Sequence, residues 1–330
     1  MRYTPHRYDL RGNTFGRCCA MIIGASAFAL LIGGCGSTGA PTVPRPTLVT
    51  TSVPPLGKAQ LDAMVATMDT STLAAQGAGI AAYAQYYGIH TIFLDLAHID
   101  AHTKLPKRDP ATVAALNGLF AVADVYLITG NDDWQLQPNT VPAELADVIT
   151  VARMYPAFKG ITYDLEPQAL PGWKTNRQAT ITQYVTFLKF LLVSPGGYTF
   201  KTTLVAAAPY YAINPNSSGT FVPSLLQEVE GLSPTSGIYL MDYRDSPAAQ
   251  MDSVARTALT QLKKPYWLGS TTNPPPAPGI SYHGTPAQTF EADMAQLRVL
   301  AAAQNGNLSG LFDNAWNSEA TSLQTVLPPP

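Results

Sequence analysis

The chain has 330 residues, of which 46% are hydrophobic and 13% are charged, and its net charge at pH 7 is −2. This charge excludes a broadly basic nucleic-acid-binding protein, because such a protein needs an excess of Lys and Arg to neutralise phosphates. All three cysteines, Cys18, Cys19 and Cys35, lie near the N-terminus. The rest of the chain can therefore form neither a disulfide framework nor a site that uses a thiolate as nucleophile or metal ligand.

The N-terminal segment has the pattern of a secretory signal. Four arginines precede an uncharged apolar run over residues 18–32, which has the length of a signal-peptide core and is short for a membrane span. The run ends in Leu31-Ile-Gly-Gly-Cys35, which resembles the lipobox of bacterial lipoproteins, whose cysteine is acylated and becomes the mature N-terminus. By this resemblance we expect a signal peptide over residues 1–34, a lipid anchor at Cys35, and a protein of the bacterial cell envelope that faces outside the cytoplasm. The alternative is an uncleaved N-terminal helix with a chance cysteine.

The remaining chain divides into a tether and one domain. Residues 35–57 are rich in Pro, Thr, Ser and Gly, which is typical of an extended or flexible linker. Removing residues 1–34 takes four Arg and one Asp from the 20 basic and 22 acidic residues, leaving 16 and 21. Residues 58–330 have the length of one (β/α)8 barrel.

Within this domain, helical and strand-like stretches alternate, as in βαβ units with a parallel sheet. Strands are predicted over residues 91–96, 125–129, 160–166, 200–208, 237–243, 265–269 and 310–316. Helices are predicted over residues 73–87, 111–122, 142–154, 177–193, 223–229, 247–262 and 286–303. We therefore expect an α/β fold, the (β/α)8 TIM barrel, whose weakly marked first strand is residues 47–52. A doubly wound open sheet is the alternative, but no Gly-rich nucleotide loop follows any strand.

Two acids alternate at the end of the fourth strand of this scheme, in Lys159-Gly-Ile-Thr-Tyr-Asp-Leu-Glu-Pro167. Side chains two residues apart share one face of a strand, so Thr162, Asp164 and Glu166 point the same way. The proline ends the strand, and the carboxyl ends of barrel strands carry the chemistry of this fold. The two acids lie about 7 Å apart along the strand, so they are adjacent to each other and cannot flank a bond. We expect the charge of Asp164 to raise the pKa of Glu166, which suits a general acid.

These residues resemble the chitinase-like family 18 glycoside hydrolases. The frame Gly160-Ile-Thr-Tyr-Asp-Leu-Glu166 is similar to the family's fourth-strand motif of a glycine and three alternate acids. Thr162 stands where the family has its first acid, and Leu165 stands where it usually has an aromatic residue.

Two later strands carry the resemblance further. Met241-Asp-Tyr243 is similar to the Met-x-Tyr of the family's sixth strand, with Arg244 where an aspartate usually follows. Trp316 is similar to the tryptophan that lies under the sugar at the end of the eighth strand.

The resemblance implies hydrolysis of a β-linked, N-acetylglucosamine-containing glycan without a cofactor. The nucleophile would be the substrate's own acetamido oxygen, Glu166 would be the acid and base, Asp164 would orient the acetamido group, and Tyr243 would bond its oxygen. For a substrate without that group, Asp242, Asp245 or Asp313 would have to act. The candidate substrate-binding residues are Asp95, Trp134, Tyr210, Met241, Asp242, Arg244, Asp313 and Trp316.

Other interpretations stay open at this point. The two acids could cap a helix or pair with Arg244. A non-catalytic glycan-binding lipoprotein would account for Thr162 and Leu165, and a two-carboxylate glycosidase would need about 5 to 9 Å between Glu166 and an opposed acid. A structural envelope protein would have a closed barrel mouth. We expect no metal site, because Asp95 and the nearby His98, Asp100 and His102 are irregularly spaced.

Overall fold

Eight parallel strands form a closed barrel in the computed structural model, in the order in which they occur along the chain. The structure describes residues 61–68, 70–96, 109–136, 141–193, 195–274, 278–317 and 327. The predicted (β/α)8 barrel is confirmed. The signal segment, Cys35 and the tether lie outside the described residues, so the lipid anchor stays a prediction.

The strands are short, as expected for a barrel wall. They are β1 (Ala63–Thr67), β2 (Thr91–Asp95), β3 (Asp124–Thr129), β4 (Gly160–Tyr163), β5 (Thr203–Ala207), β6 (Gly237–Leu240), β7 (Tyr266–Ser270) and β8 (Leu308–Asn317). The seven strands predicted from the sequence are all present. Strands β4 and β6 end three residues earlier than predicted, because the chain leaves the ladder as it enters the loops of the barrel mouth.

The position of the first strand was predicted wrongly. Residues 47–52 lie outside the described residues, and the first place in the barrel is taken by Ala63–Thr67, which pairs with β2 and β8. Four of its five residues are buried, with Met64 packed towards the helices and Val65 towards the barrel interior. A strand buried on both faces shows no alternation, and Ala-Met-Val-Ala-Thr contains few residues with high β-propensity.

Helices surround the barrel. In the described residues they are α1 (Thr70–Tyr87), α2 (Pro110–Val122), α3 (Ala143–Met154), α4 (Gly172–Thr175), α5 (Arg177–Leu192), α6 (Leu225–Gly231), α7 (Pro247–Gln250), α8 (Ser253–Gln261) and α9 (Ala287–Gln304). Asp109 caps α2 as its sequence suggests, since a side-chain oxygen accepts the amide hydrogen of Thr112 at 3.1 Å. None of the described helices combines the length and the apolar composition that crossing a membrane requires.

Aromatic rings fill the barrel interior below its mouth. The rings of Tyr239 and Phe312 stack with centroids 4.0 Å apart, and Phe93 meets Tyr239 edge-on at 5.0 Å. A Cβ at Gly269 would lie 2.3 Å from the Phe312 ring, so this glycine makes room for the stack. Because the interior is packed, a substrate can reach only the residues at and above the strand ends.

Strands β3 and β4 approach each other closely at the mouth. The Asp164 amide donates to the Thr129 carbonyl at 2.9 Å, which continues the ladder one residue beyond β4. A Cβ at Gly130 would lie 1.6 Å from the Asp164 carbonyl oxygen. A backbone atom cannot rotate out of the way as a side chain can, so this position requires glycine.

We expect Gly130→Ala to destabilise the protein by about 3 kcal/mol or more, at or above the upper end of ordinary overpacking costs, because β3 and β4 must separate. Gly306→Ala is the matched control, since a Cβ there would meet nothing within 4 Å. Urea unfolding of both variants measures the difference. Equal midpoints for the two variants would contradict the close approach.

Candidate active site

The end of β4 presents its side chains to two different layers, as the alternation predicts. Ile161, Tyr163 and Leu165 pack between the barrel and the helices. Thr162 and Asp164 therefore lie on the opposite, barrel-interior face. Thr162 is fully buried, and its hydroxyl has no hydrogen-bond partner among the described residues. Asp164 is partly exposed at the mouth.

Glu166 lies just beyond the ladder, at the start of a short 3-10 turn, Pro167–Ala169. Its Oε2 accepts a hydrogen bond from Gln168 Nε2 at 2.8 Å, and Gln168 Oε1 accepts one from the Tyr211 hydroxyl at 2.8 Å. Tyr211 belongs to the turn after β5, Pro209–Ile213. Sequence reasoning missed Gln168 and predicted no hydrogen-bonding role for Tyr211. The sequence offered one indication of this contact, the side-chain amide of Gln168 two residues after Glu166.

Strand β6 brings two tyrosines to the same part of the mouth. Tyr239 and Met241 belong to the interior cluster, and Tyr243 packs against it. Burial, followed by the nearby Tyr243 and Asp164, raises the pKa of Tyr239 well above its ordinary value. Asp164 and Tyr243, which are predicted to act on one substrate group, thus both act electrostatically on the Tyr239 hydroxyl, which stays protonated and neutral.

The predicted acids of the other strands lie in different environments. Asp95 follows the interior residue Phe93 by two positions and therefore lies on the mouth side of β2. Burial raises the pKa of Asp95 to about 7, against a hydrogen bond from Thr67 that lowers it. Asp95 therefore lies on the interior side of the barrel wall, as Asp164 and Glu166 do.

Asp242 lies behind the barrel wall. Leu240, two residues earlier, packs towards the helices, so Asp242 lies on the same side of the strand. The Asp242 residue is 3% exposed. Burial raises the pKa of Asp242 to about 7, although Arg244, whose Nη1 lies 4.0 Å from Asp242 Oδ1, lowers it. Gln250 Nε2 donates to the Asp242 carbonyl at 2.8 Å. Asp242 and Arg244 therefore pair with each other at the edge of the mouth.

Asp313 also faces the helices. Leu311 packs in the outer layer and Phe312 in the interior, so Asp313 returns to the outer side and is fully buried. Its Oδ1 accepts the Thr272 amide at 3.0 Å. Burial raises the pKa of Asp313 to about 7, with Thr272 opposing the shift. Two of the three acids that were predicted to act on a substrate without the acetamido group, Asp242 and Asp313, are therefore on the far side of the wall from Asp164.

The candidate aromatic residues differ in exposure. Trp134 is 8% exposed and donates its indole hydrogen to Glu144 Oε2 at 2.7 Å, so most of its ring belongs to the core. Tyr210 is partly exposed and packs edge-on against Trp173, with centroids 6.2 Å apart. The backbone of Trp316, in β8, pairs with that of Ala66 in β1. Sugar contacts by these residues stay predictions.

Metal binding has no support in the described residues, where no group of three or more His, Cys, Asp and Glu side chains could hold an ion. His98, Asp100 and His102 lie outside them.

The arrangement of the two predicted catalytic acids suits proton transfer. The Glu166 carboxyl is held by the Gln168 amide at the rim, and the Asp164 carboxyl lies within the mouth, where it raises the pKa of the Tyr239 phenol.

No protein-family model matches the chain, and no curated protein matches it. A GH18 chitinase from Cycas revoluta, solved as a double mutant with (GlcNAc)4, is 12% identical over 80% of this chain and 97% of its own, with a TM-score of 0.45. A xylanase and α-amylase inhibitor protein from Scadoxus multiflorus is 13% identical over 82% and 99%, with a TM-score of 0.42. The tryptophan synthase α-subunit from Pyrococcus furiosus, a mutant, is 11% identical over 81% and 91%, with a TM-score of 0.36. Similarities this distant carry no argument about activity.

The raised pKa of Asp313 predicts a pH-dependent stability. The folded value of about 7 lies above the ordinary 3.8, so this group destabilises the fold progressively as the pH rises from about 4 to about 7, and by a constant amount above that. Asp313→Asn keeps an oxygen for the Thr272 amide and removes the ionisation. We expect it to remove up to about 4 kcal/mol of the stability difference between pH 4 and pH 8.

Urea unfolding at both pH values measures this change, with the exposed Asp133→Asn as the control. The same pH dependence in all three proteins would show that Asp313 does not ionise in the folded state with a raised pKa.

Proposed function

We propose that the protein hydrolyses a β-linked, N-acetylglucosamine-containing glycan by substrate-assisted acid and base catalysis. The observation that carries the proposal is the arrangement at the mouth, where Gln168 orients Glu166 at the rim while Asp164 and Tyr243 both raise the pKa of the Tyr239 phenol. One proton donor and a separate pair of polar groups are what this mechanism needs, since the nucleophile belongs to the substrate. The proposal includes a lipid anchor at Cys35 and a location outside the cytoplasm.

In the first step, Glu166 transfers its proton to the glycosidic oxygen as the bond to the anomeric carbon breaks. The acetamido oxygen of the same sugar attacks that carbon and forms a cyclic oxazolinium ion. Asp164 accepts the acetamide N–H, which increases the electron density on the attacking oxygen, and Tyr243 donates a hydrogen bond that orients it. In the second step, Glu166 takes a proton from water, and the resulting hydroxide opens the ring. The protein ends the cycle with the proton on Glu166, as it began.

Thr162 changes the support of Asp164. A threonine hydroxyl cannot exchange a proton with Asp164 at neutral pH, whereas the acid that the related motif has at this position can. The phenol of Tyr239, whose pKa is raised by burial and then by Tyr243 and Asp164, is neutral and lies within electrostatic range of Asp164. It can stabilise the ionised carboxylate by its hydroxyl dipole, so Asp164 has an alternative to the missing acid.

A non-catalytic glycan-binding protein is the second candidate. The buried Thr162 hydroxyl, with no partner among the described residues, favours it, because a site under selection for binding alone has no need of the acid. Retention of Glu166 in a hydrogen-bonded position favours catalysis.

We expect Glu166→Gln to lower turnover of N-acetylglucosamine oligomers or peptidoglycan by about 10²-fold or more, because an amide cannot donate the proton. Binding of the oligomers should remain. Glu291→Gln, which changes an acid on α9 that the proposed mechanism does not use, is the matched control. Reducing-end assays measure turnover, and calorimetry measures binding. Equal turnover by the wild type and Glu166→Gln would exclude Glu166 as the proton donor, and sugar binding without turnover in either would favour the binding protein.

The source of the nucleophile gives a separate prediction. Glucosamine oligomers lack the acetamido oxygen, so we expect the wild type to cleave them at least about 10²-fold more slowly than the acetylated oligomers. Tyr243→Phe should lower kcat on the acetylated oligomers by about tenfold, the effect of one hydrogen bond to a group that gains charge. Equal turnover of both substrates would point to a nucleophile supplied by the protein.

A further inference from the structure

We propose that Gln168 and Tyr211 are positioning residues that fix the orientation of Glu166 and select which of its oxygens carries the catalytic proton. This inference rests on the proposed function. The tyrosine hydroxyl donates to Gln168 Oε1, and Gln168 Nε2 donates to Glu166 Oε2, each at 2.8 Å. The three side chains thus form a relay from the turn after β5 to the rim of β4.

The far end of the relay is rigid. Tyr211 is fully buried, and its ring centroid lies 6.2 Å from that of Tyr184 on α5 and 6.4 Å from that of Trp173 on α4. Packing on both sides holds the ring, so its hydroxyl can serve as a fixed reference point for a group outside the core.

The middle of the relay has one favourable orientation. A glutamine side chain has one accepting and one donating end. Because the accepting oxygen of Gln168 takes the tyrosine hydrogen, its NH2 group faces Glu166. Pro167, which separates the two residues, restricts the backbone angle φ between them. The amide can therefore neither turn nor drift without losing both hydrogen bonds.

The consequence falls on Glu166. Because the Gln168 amide donates to Oε2, protonation of Glu166 on Oε1 is the form that keeps this hydrogen bond intact. The same oxygen then accepts the proton from water in the second step, without a rotation of the carboxyl group. A hydrogen bond to the carboxylate also favours its ionised form, which prevents the acid from binding its proton too tightly to release it.

Gln168→Met tests the relay, since methionine has nearly the same length and no donor. We expect kcat to fall about ten- to hundredfold, the effect of one hydrogen bond to a charged group, with KM changed less than about threefold. The alkaline limb of the kcat/KM profile should move to higher pH, because the donor that favours the carboxylate is gone. A residue that merely stabilised the loop would lower the amount of folded protein and leave the limb in place.

Tyr211→Phe removes only the far end of the relay. It should move the limb in the same direction by a smaller amount. The double variant should resemble Gln168→Met, because Tyr211 acts through the glutamine. Tyr266→Phe is the matched control, since this tyrosine is also fully buried and its hydroxyl donates to the backbone carbonyls of Ala301 and Asn305. It should leave the profile unchanged.

A measurement that needs no turnover separates the two proposals. The 13C resonance of the Glu166 carboxyl, assigned by its loss in Glu166→Gln, can be titrated in the wild type and in Gln168→Met. A midpoint at higher pH in the variant supports the relay even if no glycan is cleaved, in which case only the proposed function fails. An unchanged midpoint, a shift to lower pH, or additive effects of the two single variants would overturn the relay while leaving the Glu166→Gln result intact.

Discussion

The close approach of the end of β3 to the backbone of Asp164 is the constraint on which the mouth depends. A side chain at Gly130 would overlap the Asp164 carbonyl, and the Asp164 amide completes the ladder with Thr129. This one extra pairing fixes the direction of the Asp164 side chain towards the interior and sends Leu165 outwards into the core. The chain is then free to turn at Glu166, so the two acids have different neighbours although they are two residues apart.

Beneath this junction, the aromatic interior links packing to electrostatics. Tyr239 stacks on Phe312, and both Tyr243 and Asp164 raise the pKa of its hydroxyl. The ring contributes to the stability of the barrel, while burial keeps its phenol neutral. A neutral hydroxyl can support a carboxylate without competing for its charge. The Tyr239 hydroxyl thus provides Asp164 with a polar group above the apolar interior, although Thr162 supplies no acid.

The acids of the mouth divide by the side of the barrel wall on which they lie. Asp95, Asp164 and Glu166 follow interior positions, whereas Asp242 and Asp313 face the helices, where burial raises the pKa of each to about 7. Each carboxyl behind the wall costs stability when it ionises. Glu166 differs from these buried acids because it lies at the rim. A glutamine amide donates a hydrogen bond to its carboxylate, and a buried tyrosine holds that amide in turn. The hydrogen bonds from Tyr211 to Gln168 and from Gln168 to the proton donor come from neutral groups, so they orient the carboxyl without adding a charge beside it.

The sequence by itself determined the fold class, seven of the eight strands, and the separation of Asp164 from Leu165 onto opposite faces. These follow from the periodicity of apolar residues and from the alternation of side chains in a strand, which are local properties. The sequence did not predict the first strand, because Ala63–Thr67 is short, is buried on both faces and therefore shows no alternation of apolar and polar residues. Only the tertiary structure decided that Asp242 and Asp313 lie behind the wall, since alternation divides residues between two faces but does not tell which face the helices cover. It alone brought Tyr211 to Gln168 across 43 residues of chain, because contacts between loops of neighbouring barrel strands depend on how the barrel closes and leave no periodic pattern in the sequence.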